Sequence, residues 1–443
     1  MSYQPVFFLR QRKKLTTAQS KCLLEINRDR KLLIRKSKFM VKRILNISKR
    51  AETAQFSPIR KFVPLLQKAK KRGIKVFELH IGQPDLPTPK EILKEIKSFK
   101  GKALTYTPST GIPETKAAWQ KYYKKVGINF DVSEIVVTTG GSEAIFFAFE
   151  AICDPGEEII IFEPFFTGYN SYASITGVKL VPLKTYAKTG FHLPSEKEIE
   201  KKIGKKTRGI LICNPSNPTG TVYKKEELKM IVKVAKKHNL FILSDEVYRE
   251  FVYDGQKHYS MMSFPDIRNR VILLDSISKR FSACGARIGC LVSKNKKVIQ
   301  AATKFAQARL SSPMIEQLAI IPLLENSKKY TKKIVAEYKK RRDTVFEALQ
   351  KIPGIVCRKP KGAFYITVKL PIKNSDYFTK WLLTKFSWKG KTVMVAPASG
   401  FYATKGLGKD EIRIAFVLSS LKLKEAMEVL KKGLEKYKKK VEE

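Results

Sequence analysis

Apolar residues in the body of the chain come in short runs of strand length, separated by longer amphipathic segments that are typical of helices. Several of these runs alternate with helical patterns, which predicts a mainly parallel sheet covered by helices on both faces. In such an α/β sheet, ligands bind at the carboxyl ends of the strands. Strands are predicted at residues 76–81, 134–139, 158–162, 179–182, 209–213, 240–244, 271–275, 288–292, 362–368 and 411–417.

The region after Pro313 has a different pattern. A long, highly charged helical pattern runs towards Lys351, and the last two predicted strands follow it. A smaller α+β unit is therefore expected after the large α/β unit.

The first 44 residues differ in composition from the rest of the chain. They are strongly basic, with Glu25 and Asp29 as the only acids, and they lack the apolar core and cleavage site of a secretory signal. Two interpretations stay open, an organellar presequence or a true start at Met40, and we favour the second. We expect residues 1–40 to be poorly ordered or absent from the working protein.

Composition narrows the class of protein. With 443 residues and 43% hydrophobic content, the chain can bury a sizeable core. It has no apolar run of the roughly 18 residues that a membrane helix needs, so a soluble protein is expected. The six cysteines form no C-x-x-C pair, which argues against a zinc site and a disulfide framework and favours a reducing cytoplasm.

The net charge of +47 allows two interpretations. A strongly basic protein can bind nucleic acid or an anionic membrane, or it can have a solvated, lysine-rich surface. The lysines are spread along the whole chain and no nucleic-acid-binding module accompanies them, so we favour the second interpretation.

The segment S-K-R-F-S-A-C-G-A-R-I-G, residues 278–289, carries the strongest chemical pattern. A lysine that attacks a carbonyl near neutral pH must be neutral, and a neighbouring cation favours the neutral form. Arg287, eight positions after Lys279, supplies such a cation, and its planar fork suits a phosphate. The pattern indicates a Schiff-base lysine with a phosphate clamp, although a basic surface turn would look similar.

Polar residues follow two of the predicted strands. The string N-P-S-N-P-T-G contains Asn217, whose amide could meet a phenolic oxygen. In D-E-V-Y, Asp245 and Tyr248 share a face if a helical turn begins there. A carboxylate at the end of a buried strand needs a cationic partner, and a pyridinium is one. A helix N-cap is an equally good interpretation of Asp245.

A third loop suggests an anion site. Gly140, Gly141 and Ser142 follow a strand and precede an apolar helical segment, so free backbone N–H groups are expected there. The hydroxyl of Ser276, three residues before Lys279, is consistent with the same phosphate.

In this order and at these spacings, these motifs and the later strand E-I-R-I-A-F-V resemble the class I/II aminotransferases of pyridoxal-phosphate fold type I. The resemblance covers about residues 48–437 and is strongest to bacterial proteins described as aspartate aminotransferases. It implies a large domain with a mainly parallel seven-stranded sheet and a smaller α+β domain. The predicted divisions are an extension at 1–44, a small domain built from 45–88 and 326–443, and a large cofactor-binding domain at 89–325.

The resemblance also assigns catalytic roles. Lys279 would carry pyridoxal 5'-phosphate and move the proton between the substrate Cα and the cofactor C4′. Asp245 would keep the pyridine nitrogen protonated. Tyr248 and Asn217 would hydrogen-bond the ring hydroxyl oxygen.

Further cofactor contacts follow from the same resemblance. Phe166, rather than the adjacent Phe165, would stack on the ring. Tyr106, in Y-T-P-S-T-G, would reach the phosphate of the neighbouring subunit's cofactor, so a homodimer is expected. The phosphate of the subunit's own cofactor would be held by Gly141, Ser142, Ser276 and Arg287.

Substrate binding is assigned less completely. Arg413 would bind the α-carboxylate of the amino acid, with Gly82 beside it. A dicarboxylic substrate needs a second cation, and this chain has Ser142 where some prokaryotic aspartate enzymes of the family have a lysine. Arg309 is a candidate for that role and Arg280 is a second, although a surface or structural role is at least as good an interpretation of Arg309.

The expected function is amino transfer between an L-amino acid and a 2-oxo acid, with aspartate and 2-oxoglutarate as the preferred pair and no metal. Aromatic or alanine-type donors, or β-elimination, are alternatives with the same residues. A transcription regulator would need a DNA-binding domain of about 70 to 100 residues upstream, for which the first 45 residues are too few. A basic nucleic-acid binder would leave the cofactor motifs unexplained.

Overall fold

The structure is a computed structural model that describes residues 45–442 and, before them, only residues 17, 18, 21 and 28. The predictions about the first 44 residues therefore lie almost entirely outside the described residues. By its internal contacts the chain divides into two units, residues 1–52 and 53–443. All described strands belong to the second unit.

The described strands include every one predicted from the sequence, with shifts of up to three residues at their ends. β10 and β11 are additional. The strands are β1 Lys75–Glu78, β2 Ile135–Thr138, β3 Glu158–Glu163, β4 Lys179–Lys184, β5 Thr207–Cys213, β6 Phe241–Asp245, β7 Val271–Ser276, β8 Gly289–Ser293, β9 Tyr365–Lys369, β10 Lys391–Met394, β11 Ala396–Pro397 and β12 Glu411–Ala415.

Seven of these strands form one sheet, in the order β2-β8-β7-β6-β5-β3-β4. β8 is antiparallel to both of its neighbours, and the other pairs are parallel. Two smaller sheets accompany it, a parallel pair β1-β10 and an antiparallel set β11-β12-β9. The predicted fold, a mainly parallel seven-stranded sheet with a smaller α+β part, is confirmed. The domain boundaries stay predictions.

Helices connect the strands. The described α-helices are α1 Lys49–Thr53, α2 Val63–Lys71, α3 Lys90–Lys97, α4 Pro113–Lys125, α5 Gly141–Ile152, α6 Gly168–Thr176, α7 Glu196–Glu200, α8 Lys225–Lys237, α9 Ile277–Arg280, α10 Lys296–Arg309, α11 Met314–Ala319, α12 Ile321–Glu325, α13 Ser327–Gln350, α14 Ser375–Thr384 and α15 Ser420–Glu442.

Apolar periodicity explains why these helices cover the large sheet. In α8, Leu228, Ile231, Val234 and Ala235 are buried, and all five lysines of the helix are exposed. The central strands are buried along nearly their whole length because side chains from both faces meet helices.

The long helical pattern predicted after Pro313 is interrupted. The chain forms α11, α12 and α13 in succession, and only α13 runs on to Gln350. Pro322 lies in the first turn of α12 and cannot donate the backbone hydrogen bond that a continuous helix would need there.

Within the described part of the chain, no helix has the length and apolar character needed to cross a membrane. The same residues hold no cluster of histidine, cysteine and acidic side chains suited to a metal ion. The cysteines among them, at 153, 213, 284, 290 and 357, are free.

Candidate active site

A cavity of about 620 Å³ lies where β5, β6 and β7 end. The last residues of these strands, Cys213, Asp245 and Ser276, all line it. This is the position expected for a ligand site in a parallel α/β sheet. The predicted site residues that line the cavity are Gly82, Gly141, Ser142, Phe166, Asn217, Asp245, Tyr248, Ser276, Lys279, Arg287 and Arg413.

Lys279 is positioned by a short helix at the end of β7. Ser276 is the N-cap of this helix, α9, and its hydroxyl accepts a hydrogen bond from the backbone N–H of Ser278. The ammonium of Lys279 donates to the carbonyl oxygen of Gly82 at 2.9 Å and lies 3.6 Å from the sulfur of Cys284. The amine therefore faces the cavity beside the loop that follows β1.

Asp245 is a buried carboxylate that forms no ion pair with any described residue. It is 6% exposed. Its Oδ2 accepts a 2.6 Å hydrogen bond from the hydroxyl of Tyr169, and its Oδ1 accepts the backbone N–H of Val247 at 3.3 Å. Burial raises the pKa of Asp245 to about 6, and these two bonds act in the opposite direction. A hydrogen-bonded turn follows it in place of the helical turn considered from the sequence.

Arg413 is a buried cation at the same cavity. It is 2% exposed and forms no ion pair among the described residues. Its guanidinium donates to Asn217 Oδ1 at 3.1 Å and to the carbonyl oxygen of His80, and its Nε has no hydrogen-bond partner. Burial lowers its pKa. The ring of Tyr365 lies 4.5 Å from the guanidinium carbon, and the Tyr365 hydroxyl is 2.8 Å from that of Tyr248.

The glycine turn after β2 places backbone N–H groups beside an arginine. Gly140 has a φ of 77°, and a Cβ at this position would lie 2.4 Å from Nη2 of Arg287. Arg287, itself in the left-handed region at φ 52°, donates to the carbonyl oxygens of Cys284 and Thr139. Because α5 begins at Gly141, the backbone N–H groups of its first turn have no acceptor within the helix, which is the arrangement that suits an anion.

The two adjacent phenylalanines have different positions. Phe166 lines the cavity, while Phe165 is buried in the apolar core on one face of the large sheet. A Cβ at residue 168 would lie 2.4 Å from the Phe166 ring, so Gly168 leaves the room that this ring needs.

Three candidate residues lie outside the cavity. Tyr106 is 78% exposed. Arg309, at the end of α10, donates to Ser312 Oγ and to the carbonyl oxygens of Ser109 and Val137. Arg280 is fully buried, bound to both oxygens of Asp275 at 3.0 Å and to Glu250 at 2.8 Å. Both arginines therefore bind other residues of the chain, and neither lines the cavity that contains Lys279.

Sequence comparison assigns the chain to a family. The family model "Aminotransferase class I and II" matches residues 74–430. This chain belongs to the class I and II aminotransferases. The resemblance seen in the motifs is therefore confirmed.

Similar proteins within the class I and II aminotransferases are named after different amino acids. An aspartate aminotransferase of Pyrococcus horikoshii is 36% identical over 366 residues, 81% of this chain and 91% of the relative. An aromatic-amino-acid aminotransferase 2 of Thermococcus litoralis is 34% identical and covers 88% of this chain and 99% of its own. The solved alanine aminotransferase of Pyrococcus furiosus superposes with a TM-score of 0.80 at 31% identity, over 88% of this chain and all of its own.

The class I and II aminotransferases use pyridoxal phosphate, and the cavity suits that group. The N-terminus of α5 and Arg287 suit its phosphate. Asp245, a buried carboxylate without a cation among the described residues, suits a protonated pyridine nitrogen. Phe166 supplies an aromatic face. The residues present therefore fit the cofactor.

Three residues at or beside the cavity were not predicted from the sequence. Tyr169 ends the string E-P-F-F-T-G-Y, and a buried tyrosine needs a hydrogen-bond partner, so a weak indication existed. Tyr365 lies on β9, next to β12, and only the strand register brings it near Arg413. Arg60 lines the cavity from a turn before α2, and no pattern in the sequence indicated it.

Proposed function

We propose that this protein is a pyridoxal-phosphate-dependent aminotransferase that moves an amino group between an L-amino acid and a 2-oxo acid, with aspartate and 2-oxoglutarate as its preferred pair. One observation carries the proposal. Two buried side chains of opposite charge, Asp245 and Arg413, line one cavity with Lys279, and neither has an ion-pair partner among the described residues. A bound pyridinium and a bound carboxylate would supply both partners.

When bound, pyridoxal phosphate supplies the electron sink for breaking the Cα–H bond of the amino acid. Lys279 would hold the cofactor covalently and, after release, move the proton at Cα. Its amine lies at the carbonyl of Gly82, so a substrate between Gly82 and the β-strand ends would be within its reach. Asp245 would keep the pyridine nitrogen protonated through a charge-assisted hydrogen bond.

Other residues would orient the cofactor ring. Tyr248 and Asn217 would bond the ring hydroxyl oxygen, with the Tyr248 hydroxyl itself held by Tyr365. Phe166 would stack on one face. The phosphate would bind to Gly141, Ser142, Ser276 and Arg287.

Arg413 would bind the α-carboxylate bidentately. Its guanidinium is held by Asn217 and by the carbonyl of His80, so it is oriented before the substrate arrives. A homodimer is part of the proposal, because the exposed Tyr106 matches a residue that serves the neighbouring subunit in this family. We also propose that the protein acts in the cytoplasm.

Aspartate is proposed as the donor because several similar proteins carry that name, including those of Pyrococcus horikoshii and Bacillus subtilis. An aromatic donor is the second candidate. Ile59, Ile145 and Tyr172 also line the cavity, and they would suit an apolar ring.

The decisive experiment is loading with pyridoxal phosphate. Wild-type protein is expected to turn yellow and, after reduction with borohydride, to carry the cofactor mass on the peptide that contains Lys279. Lys279→Ala should show neither change. Lys294→Ala is the matched control, since Lys294 pairs with Glu134 away from the cavity. A colourless wild type, or label on another lysine, would refute the proposal.

A further inference from the structure

Four cationic side chains line the cavity among the described residues: Arg60, Lys279, Arg287 and Arg413. In the proposed function, Lys279 attaches the cofactor covalently, Arg287 binds the cofactor phosphate and Arg413 binds the α-carboxylate of the substrate. Arg60 has no role in that scheme. The residue is exposed, and its guanidinium forms no ion pair and no side-chain hydrogen bond with any described residue. Arg280 and Arg309, which are less exposed, do form such contacts.

The turn that carries Arg60 is firmly placed. The backbone N–H of Arg60 bonds the carbonyl of Ser57 at 3.0 Å, and the carbonyl of Arg60 accepts the N–H of Val63 at the start of α2. Pro58 packs on Gly400, where a Cβ would lie 2.2 Å from the proline ring. On the other side of Arg60, Lys61 pairs with Asp376. The backbone of this turn is therefore held on both sides of a charge that has no partner within the part of the chain that the structure describes.

Ile59 contributes to the same anchoring. It packs against the small apolar cluster formed by Ala396, Ala398, Phe401 and Tyr402. The ring of Phe401 in this cluster also lies 4.9 Å from the guanidinium carbon of Arg413. The turn with Arg60 and the guanidinium of Arg413 thus rest on one packed surface.

His80 is a buried residue whose carbonyl oxygen accepts a hydrogen bond from Arg413. Burial lowers the pKa of His80 to about 4, Glu78 acts in the opposite direction, and the positive charges of Arg413, Arg60 and Lys70 lower it further.

From this arrangement we infer that Arg60 binds the side-chain carboxylate of a dicarboxylic amino acid and so determines the preference for acidic donors. The inference rests on the proposed function. With the α-carboxylate on Arg413 and the amino group at Lys279, the side chain of the substrate extends into the remaining cavity, which Arg60 lines. Ser142 also lines the cavity but supplies no charge, so Arg60 replaces the cation that this position lacks.

The test compares half-reaction rates of the cofactor-loaded enzyme with aspartate, glutamate and alanine. In Arg60→Gln, the ratio of kcat/KM for aspartate to kcat/KM for alanine is expected to fall about tenfold or more, the value of a charge-assisted hydrogen bond. Arg60→Lys should retain part of the ratio. Lys61→Gln, which removes the adjacent charge at a residue outside the cavity, should leave it unchanged.

Charge reversal gives a readout that a purely structural role would not produce. Arg60→Glu is expected to raise the relative rate with ornithine, whose side chain is cationic, while it lowers the rate with aspartate. Thermal unfolding of each variant reports whether the fold is intact.

Two failures can be told apart. If wild-type enzyme reacts with alanine but not with aspartate or glutamate, both the proposed donor and the role of Arg60 are overturned. If it reacts with aspartate and Arg60→Gln keeps the wild-type ratio, the role of Arg60 alone is overturned.

Discussion

Replacing Asp245 by asparagine removes a buried charge and keeps the shape of the side chain. Burial raises the pKa of this carboxyl from 3.8 to about 6, and no described cation pairs with it. Because each pKa unit corresponds to about 1.4 kcal/mol, the ionised group destabilises the cofactor-free protein by about 3 kcal/mol. The same charge is the proposed partner of the cofactor ring, so the protein holds an unfavourable charge ready for its ligand.

The sign of the pH dependence follows from the direction of the shift. The folded-state pKa is above the unfolded value, so the penalty is absent below pH 3.8, grows between the two pKa values and is complete above about pH 6. Cofactor-free Asp245→Asn is therefore expected to be more stable than wild type by about 3 kcal/mol at pH 8 and by only about 1 kcal/mol at pH 4.5.

The assay is urea unfolding of the cofactor-free protein at these two pH values, repeated with pyridoxal phosphate present. With the cofactor, wild type should gain more stability than Asp245→Asn, because only the carboxylate pairs with the pyridinium. Tyr169→Phe should act in the opposite direction at pH 8, since the Tyr169 hydroxyl stabilises the ionised form of Asp245. Asp266→Asn, at a carboxylate that is 65% exposed, is the control. An equal effect of Asp245→Asn at both pH values would refute the reasoning.

Two further predictions concern the substrate clamp and the dimer. Arg413→Lys should lower kcat/KM about 10- to 100-fold for amino acids and 2-oxo acids alike, because a point charge cannot reproduce the guanidinium fork. Unchanged steady-state kinetics would show that Arg413 does not bind the substrate. Sedimentation velocity should show a homodimer. In a spectroscopic titration, Tyr106→Phe should weaken the affinity for pyridoxal phosphate about tenfold, because one hydrogen bond to the cofactor phosphate is lost. A monomeric, fully active holoenzyme would contradict this prediction.

The fold was largely predictable because each strand and helix is specified by residues close together in the sequence. The strands of the large sheet are nearly continuous apolar runs, as expected when both faces are covered, and Gly- and Pro-rich loops separate them from the helices. The strand ends could be placed within a few residues. β10 and β11 were not predicted, and β11, with two residues, has too few positions for a periodic pattern.

The roles of individual arginines were less predictable. Arg280 and Arg309 looked as available as any other charge in the sequence. In the structure Arg280 pairs with Asp275, and Arg309 is bound to carbonyls of residues 109 and 137. A buried guanidinium must satisfy its donors, and the partners come from distant segments that no local pattern identifies.

The sequence alone determined which chemical groups follow which strand. Lys279, Asp245, Asn217 and the glycine turn lie directly after apolar runs, so a parallel sheet must gather them at one edge. Only the tertiary structure decided which charges there have no partner among the described residues. Strand pairing brings Tyr365 beside Arg413, and the packing of the turn at 57–60 brings Arg60 to the cavity. These contacts depend on long-range register and packing, because burial selects partners by their position in space and not by their distance along the chain.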